Sequence, residues 1–396
     1  MNGVMSVSVG ILIGAGSYLE NSKNNGISHF IEHMTFKGTP TLSSFALSEA
    51  FDEIGSQVNA FTSKEMTCYY AKSTTLSLER SFELLSDMFL NSVYDSGEIE
   101  KEKGVVIEEI NMYADTPEEV CLDNLSLAYF GDEGLGRTVL GPAENIKVFD
   151  KSYIDEYRRD YYNADNIVVS FSGNADHQTA EMLVDKYFAP FVSSYKSKEY
   201  FKTTKANLGK IIKKNKDIEQ NHLAIGFDNI KYNGKYFDEM ALLNTVLGSG
   251  MSSRLFQRVR EELGLCYTVY SYTSGYRDVG TLSIYAGLNP DQTTLAFDAI
   301  FDVLKTLKKD GITQKEFEKG KAQVLSSYAF SQESTASQMM LYGKYLLFED
   351  KIYDGEQKIK YIENIDKRTV DELVETLDFD RYSLALVGKT AEETKI

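Results

Sequence analysis

A chain of 396 residues has room for two or three domains with ample core. Its formal charge of −17 argues against nucleic acid as a partner, because phosphate binding needs a basic surface. Three widely spaced cysteines, Cys68, Cys121 and Cys266, without a C-x-x-C pair, favour reduced thiols in a cytoplasmic protein. Neither a secretory leader nor an apolar run of about 18 residues is visible, so no membrane association is expected.

Residues 4–14 alternate and are β-branched, which predicts a strand. A turn at 24–26 precedes the stretch G-I-S-H-F-I-E-H-M-T-F over 26–36, which carries two of the four histidines of the chain. On a helix, His29, Glu32 and His33 stand at i, i+3 and i+4 and share one face. Two imidazoles one turn apart suit a zinc ion, and a carboxylate beside them suits a base acting on water. The order H-x-x-E-H is the inverse of the commoner zinc-protease H-E-x-x-H.

Residues 43–54 have helical spacing, with Phe45, Leu47, Ala50, Phe51 and Ile54 as expected core. A strand pair is expected over 58–72, then an amphipathic helix over 78–90 and another over 98–113. On the last of these, Glu102 and Glu109 lie two turns apart along one side, while Glu98, Glu100 and Glu108 read as solvated. The helix alone does not choose Glu109 over Glu102 or Glu108 as a metal ligand. Residues 166–173 read as a buried strand and 178–188 as a helix.

The polar, basic and aperiodic stretch 189–205 is the expected linker between an N-terminal domain (1–188) and a C-terminal one (206–396). The second half repeats the first in outline. D-E-I-G at 52–55 and E-E-L-G at 261–264 each close a helix before two strands and a long helix, which suggests two copies of one α+β unit. Gly248-Ser249-Gly250 lacks the spacing of a phosphate loop and reads as a turn before a helix.

Four motifs in order, G-I-S-H-F-I-E-H-M-T-F-K-G-T (26–39), V-N-A-F-T-S-K-E-M-T-C-Y-Y (58–70), V-V-I-E-E-I with D-T-P (105–117) and S-S-R-L-F-Q-R-V-R-E-E-L-G-L-C-Y (252–267), resemble those of the M16 zinc metallopeptidases. The likeness is to short bacterial members akin to mitochondrial processing peptidase, more distantly to insulin-degrading enzyme. It implies an α+β fold of two related domains, each a mostly antiparallel sheet with helices on one face. It also implies zinc on His29, His33 and Glu109, Glu102 as a supporting residue, and Glu32 as general base. Arg260 and Tyr267 match the family's site-facing arginine and tyrosine. Asn59, Ala60, Phe61 and Thr62 match its substrate-pairing edge strand, with Phe61 lining a side-chain pocket. The function implied is a zinc endopeptidase acting on extended peptides in a chamber closed by a homodimer; a non-catalytic subunit of such an assembly is the alternative. Family chains usually begin some twenty residues earlier with a strand expected to pair with residues 4–13, which raises the expectation that Met1 is not the natural start.

Overall fold

The computed structural model describes residues 1, 3–189, 191, 196–198, 206 and 208–396, so most of the expected linker lies outside the described residues. The chain forms two compact units. The first comprises Met1–Asn111, Arg137–Phe201 and Phe330–Tyr353, and the second Met112–Gly136, Lys202–Ala329 and Asp354–Ile396. A single cut at 189–205 therefore does not describe the packing, because each unit takes a helix from the other half of the chain.

In the first unit, β1 (Ser6–Ile13), β2 (Gln57–Thr62), β3 (Thr67–Thr74) and β4 (Ile167–Gly173) form an antiparallel sheet in the order β2-β3-β1-β4. Strand alternation sends Val7, Val9 and Ile11 to one face, where they are buried. On the same face, Phe171 packs on Phe82 and Tyr69 on Phe89 of the helix Leu78–Asn91, with ring centroids 5.1 and 5.6 Å apart. The other face is covered as well, by one helix from the second half of the chain. Ser8, Gly10 and Leu12 meet Thr335, Met339 and Gly343 of the helix Thr335–Glu349, matching a strand period of two to a helix step of four. Small residues permit this: a Cβ on Gly10 would lie 2.3 Å from the Met339 sulfur.

The second unit holds β5 (Ile211–Asn215), β6 (Asn221–Asn229), β7 (Cys266–Gly275), β8 (Gly280–Leu288) and β9 (Tyr382–Gly388), in the order β5-β9-β6-β8-β7. Replacing β1, β2, β3 and β4 by β6, β7, β8 and β9 reproduces the order of the first sheet. Gly55 and Gly264, the last residues of the two matched sequences, both take left-handed backbone, at φ 63° and 62°. The helix Pro117–Phe130 packs on β6 and β9 as Thr335–Glu349 packs on β1 and β4.

Two expectations change, and one unpredicted strand is added. β1 is paired on both sides, by β3 and β4, so it offers no open edge to a further strand. The extra strand of the second unit, β5, runs parallel to β9, the counterpart of β4. Phe45, expected in the core, is 74% exposed, because it stands about 200° around the helix Ser44–Glu53 from buried Leu47.

One loop fixes the chemistry-bearing helix Ile27–Thr35. Gly141 has φ 70°, and a Cβ there would come within 2.2 Å of the Asn25 carbonyl oxygen. Gly141→Ala is expected to lower unfolding free energy by about 1–3 kcal/mol or more, read from urea midpoints, through backbone strain added to that overlap.

Candidate metal centre

The helix Ile27–Thr35 starts at Gly26, whose φ of 100° suits glycine. Ile27, Phe30, Ile31 and Met34 fill the core beneath it, which turns His29, Glu32 and His33 to the flank. The facing wall is the helix Ser96–Ala114, where Ile99, Glu102 and Val106 are buried. Glu108 is exposed, as expected of a solvated residue. Val105, between Glu102 and Glu109 in sequence, is 52% exposed and lies off the buried stripe.

These two helices bring His29, His33 and Glu109 together. One ligand atom from each lies within 4.8 Å of the other two. Glu109 Oε2 is 3.6 Å from His29 Nε2 and 3.4 Å from His33 Nε2. A tetrahedral zinc with bonds near 2.0–2.2 Å separates its ligand atoms by roughly 3.3–3.6 Å, so the donor set and its spacing fit that ion. Among the described residues this is the one such cluster of three or more histidine, cysteine or acidic side chains.

Behind the cluster, Glu102 Oε1 accepts from His33 Nδ1 at 2.8 Å, and Lys37 Nζ pairs with Glu102 Oε2 at 2.6 Å. This orients the His33 ring with Nε2 towards Glu109. His29 has no comparable support: among the described residues its buried Nδ1 finds no hydrogen-bond partner. Glu32 Oε2 accepts from the Thr62 hydroxyl, which ties the helix to the end of β2.

Electrostatics separate the two histidines. Burial, aided by neighbouring His33, pushes His29 down to about 3. Burial would lower His33 too, but its bond to Glu102 and the charges of Glu102, Glu109 and Glu32 outweigh that and raise it. Burial raises the Glu32 carboxyl, against the Thr62 hydrogen bond and His33. Burial likewise works against ionised Glu102, but His33 and Lys37 prevail and hold it below its ordinary value.

The segment Asn59–Thr62 lies in β2, which among the described residues pairs only with β3 and so forms a sheet edge. Phe61 is half-buried against a cluster of Leu12, Met66, Cys68 and Met339. Arg260 and Tyr267 lie in the second unit and are brought together there. The guanidinium carbon sits 4.5 Å from the Phe256 ring centre and 5.0 Å from that of Tyr267. Tyr267 is 77% exposed and is no core residue. Arg260 sits in a π-helical stretch, Phe256–Glu262, a wide turn frequent at functional positions.

Comparison with known proteins decides the family. The insulinase (peptidase family M16) profile matches residues 2–143, which contain the whole His29–His33–Glu109 cluster, and the peptidase M16 inactive-domain profile matches 149–324. An uncharacterized zinc protease of Bacillus subtilis is 42% identical over 389 residues, 97% of this chain and 93% of that protein. The chain belongs to the M16 peptidase family. An uncharacterized zinc protease of Mycobacterium tuberculosis is 34% identical over 97% of this chain and 89% of its own length. A Helicobacter pylori protease structure shares the fold at a TM-score of 0.90 and 22% identity, covering 98% of this chain and 95% of that one. The structure titled as a peptidase M16 inactive domain from Pseudomonas fluorescens does so at 0.90 and 18%, covering 98% and 93%.

Two contacts of this M16 site escaped the sequence. Lys37, at i+4 from His33, carries no motif signal, and the edge-strand motif points to the backbone of Thr62 and not to its hydroxyl. Lys37→Met leaves the carboxylate of Glu102, only 5% exposed, without its cation. Competition with a chromogenic chelator is expected to show zinc affinity falling by about 10-fold or more.

Proposed function

We propose that this M16 chain is a zinc-dependent endopeptidase that cleaves short, unfolded or extended peptides. One observation carries the reading: His29, His33 and Glu109 converge at ligand spacing while Glu32 stands beside them on the same helix. The zinc-protease names of its relatives support it. His29 Nε2, His33 Nε2 and Glu109 would hold one zinc, which when bound supplies Lewis-acid charge to a water and a peptide carbonyl. No described helix is long and apolar enough to cross a membrane.

Glu32 acts on protons. Its carboxylate takes a proton from the attacking water and passes it to the departing amine nitrogen, so the C–N bond breaks without an unstable anionic leaving group. Glu102 acts from behind, holding the ring of His33. The substrate adds to the open edge of β2 at Asn59, Ala60, Phe61 and Thr62, where main-chain pairing gives affinity with little sequence preference. Phe61 lines a pocket for one side chain. Arg260 and Tyr267 are assigned to the developing oxyanion, an assignment that rests on the motif match and on their exposed, stacked arrangement. Because one chain carries both the metal motif and this pair, two copies are expected to assemble into a homodimer that encloses a reaction chamber.

Glu32→Gln is expected to bind one zinc per chain, by metal analysis, while peptide cleavage falls by at least about 10²-fold; cleavage at the wild-type rate would remove Glu32 from the mechanism. Arg260→Ala is expected to reduce kcat by about 10²-fold with little change in KM, as for loss of an oxyanion donor. Glu32 must be ionised to accept a proton, and the Thr62 hydrogen bond holds its pKa down. Thr62→Val should therefore move the acid limb of the kcat/KM–pH profile to higher pH.

A further inference from the structure

The two imidazoles of the cluster are not held alike. The Nδ1 of His33 is fixed by Glu102, whereas the buried Nδ1 of His29 has no hydrogen-bond partner among the described residues. The direction of the His29 ring is therefore set by the position of the first helical turn, on which it is the third residue.

That turn lacks the usual local support. Its N-cap is Gly26, with no side-chain cap, and its first turn contains no acidic residue. The counterpart helix of the second unit, Phe237–Leu247, has Asp238 and Glu239 in its own first turn. In the first unit a carboxylate arrives from outside the helix. Glu20, only 4% exposed, accepts from Gly26 N at 2.7 Å and Asn25 Nδ2 at 2.8 Å through Oε2, and from Ser28 N at 2.8 Å through Oε1. Asn25 also donates to Thr138 O, and Ser28 Oγ to Tyr157 Oη, so the anchor continues into the surrounding core.

A helix start carries partial positive charge from its unpaired N–H groups. A dication held one turn in would meet that charge unfavourably unless an anion offset it. A neutral amide at position 20 would offer one acceptor oxygen instead of two, so it could not serve both the Gly26–Asn25 pair and Ser28 N, and it would bring no charge. Burial raises the Glu20 carboxyl, against its hydrogen bonds from Ser28, Asn25 and Gly26.

We propose that Glu20 is a positioning residue for the metal centre: it fixes the first turn of the metal helix, and through it the His29 ring, and offsets the positive helix end facing a bound divalent cation. This rests on the assignment of His29, His33 and Glu109 as metal ligands.

The test measures divalent-metal affinity, by chelator competition with zinc alone, on wild type, Glu20→Gln, Glu20→Asp and His29→Ala, together with cobalt(II) absorption spectra and circular dichroism of the metal-free proteins. Glu20→Gln is expected to remain folded and to lose zinc affinity by about 10–100-fold, the range for residues that orient a ligand, with an altered cobalt spectrum. Glu20→Asp, which keeps the charge, is expected to fall between Gln and wild type. Should Glu20→Gln fail to fold, Glu20→Asp carries the same comparison. Wild-type affinity and an unchanged cobalt spectrum in a folded Gln or Asp variant would overturn the proposal. If wild type and His29→Ala bind zinc equally, the ligand assignment itself fails, and Glu20 with it.

Discussion

Three carboxylates and two imidazoles share one small volume between the helices Ile27–Thr35 and Ser96–Ala114, and the rest of the site depends on how that crowding is resolved. Glu109 repels Glu32 at such range, while Lys37 ion-pairs with Glu102. A divalent cation held by His29, His33 and Glu109 would turn repulsion into attraction. The surrounding fold can be read as what keeps that point in place. A buried apolar face seats the first helix, Gly26 and Gly141 let a loop close behind it, and Glu102 backs one imidazole.

The same frame occurs twice, and among the described residues only one copy holds a cluster of three metal-ligating side chains. Both sheets place equivalent strands in the same order, both exchange a helix onto the same strand pair, and both start the corresponding helix after a left-handed residue, Gly26 or Tyr236. In the second copy that helix is occupied by core packing: Met240, Leu242, Leu243, Val246 and Leu247 are buried, and Glu239 is bonded by Tyr361.

The legible parts of the sequence were those written in short-range spacing. H-x-x-E-H stands at i, i+3 and i+4 of one helix, and the two left-handed glycines, Gly55 and Gly264, closed matching segments. Glu109 was different: helix position alone left it level with Glu102 and Glu108, and the family motif chose it. Contacts between distant segments were not legible. Nothing in the local sequence around Glu20 says that its carboxylate turns onto a helix six residues later, and nothing in the composition of Thr335–Glu349 says that it covers the sheet of the other half. Phe45 differs for a third reason: its hydrophobicity suits a core, but its angle around the helix turns it away from Leu47 and Phe51.

The central claim is that His29, His33 and Glu109 form one zinc site. X-ray absorption at the zinc edge, on protein loaded with one equivalent of zinc, reads the identity of the ligands directly. The account predicts a four-coordinate shell with two imidazole nitrogens, about 2.0–2.1 Å from the metal, and oxygen in the remaining positions. A sulfur scatterer near 2.3 Å, or a shell unchanged when His29 and His33 are both replaced by alanine, would contradict it.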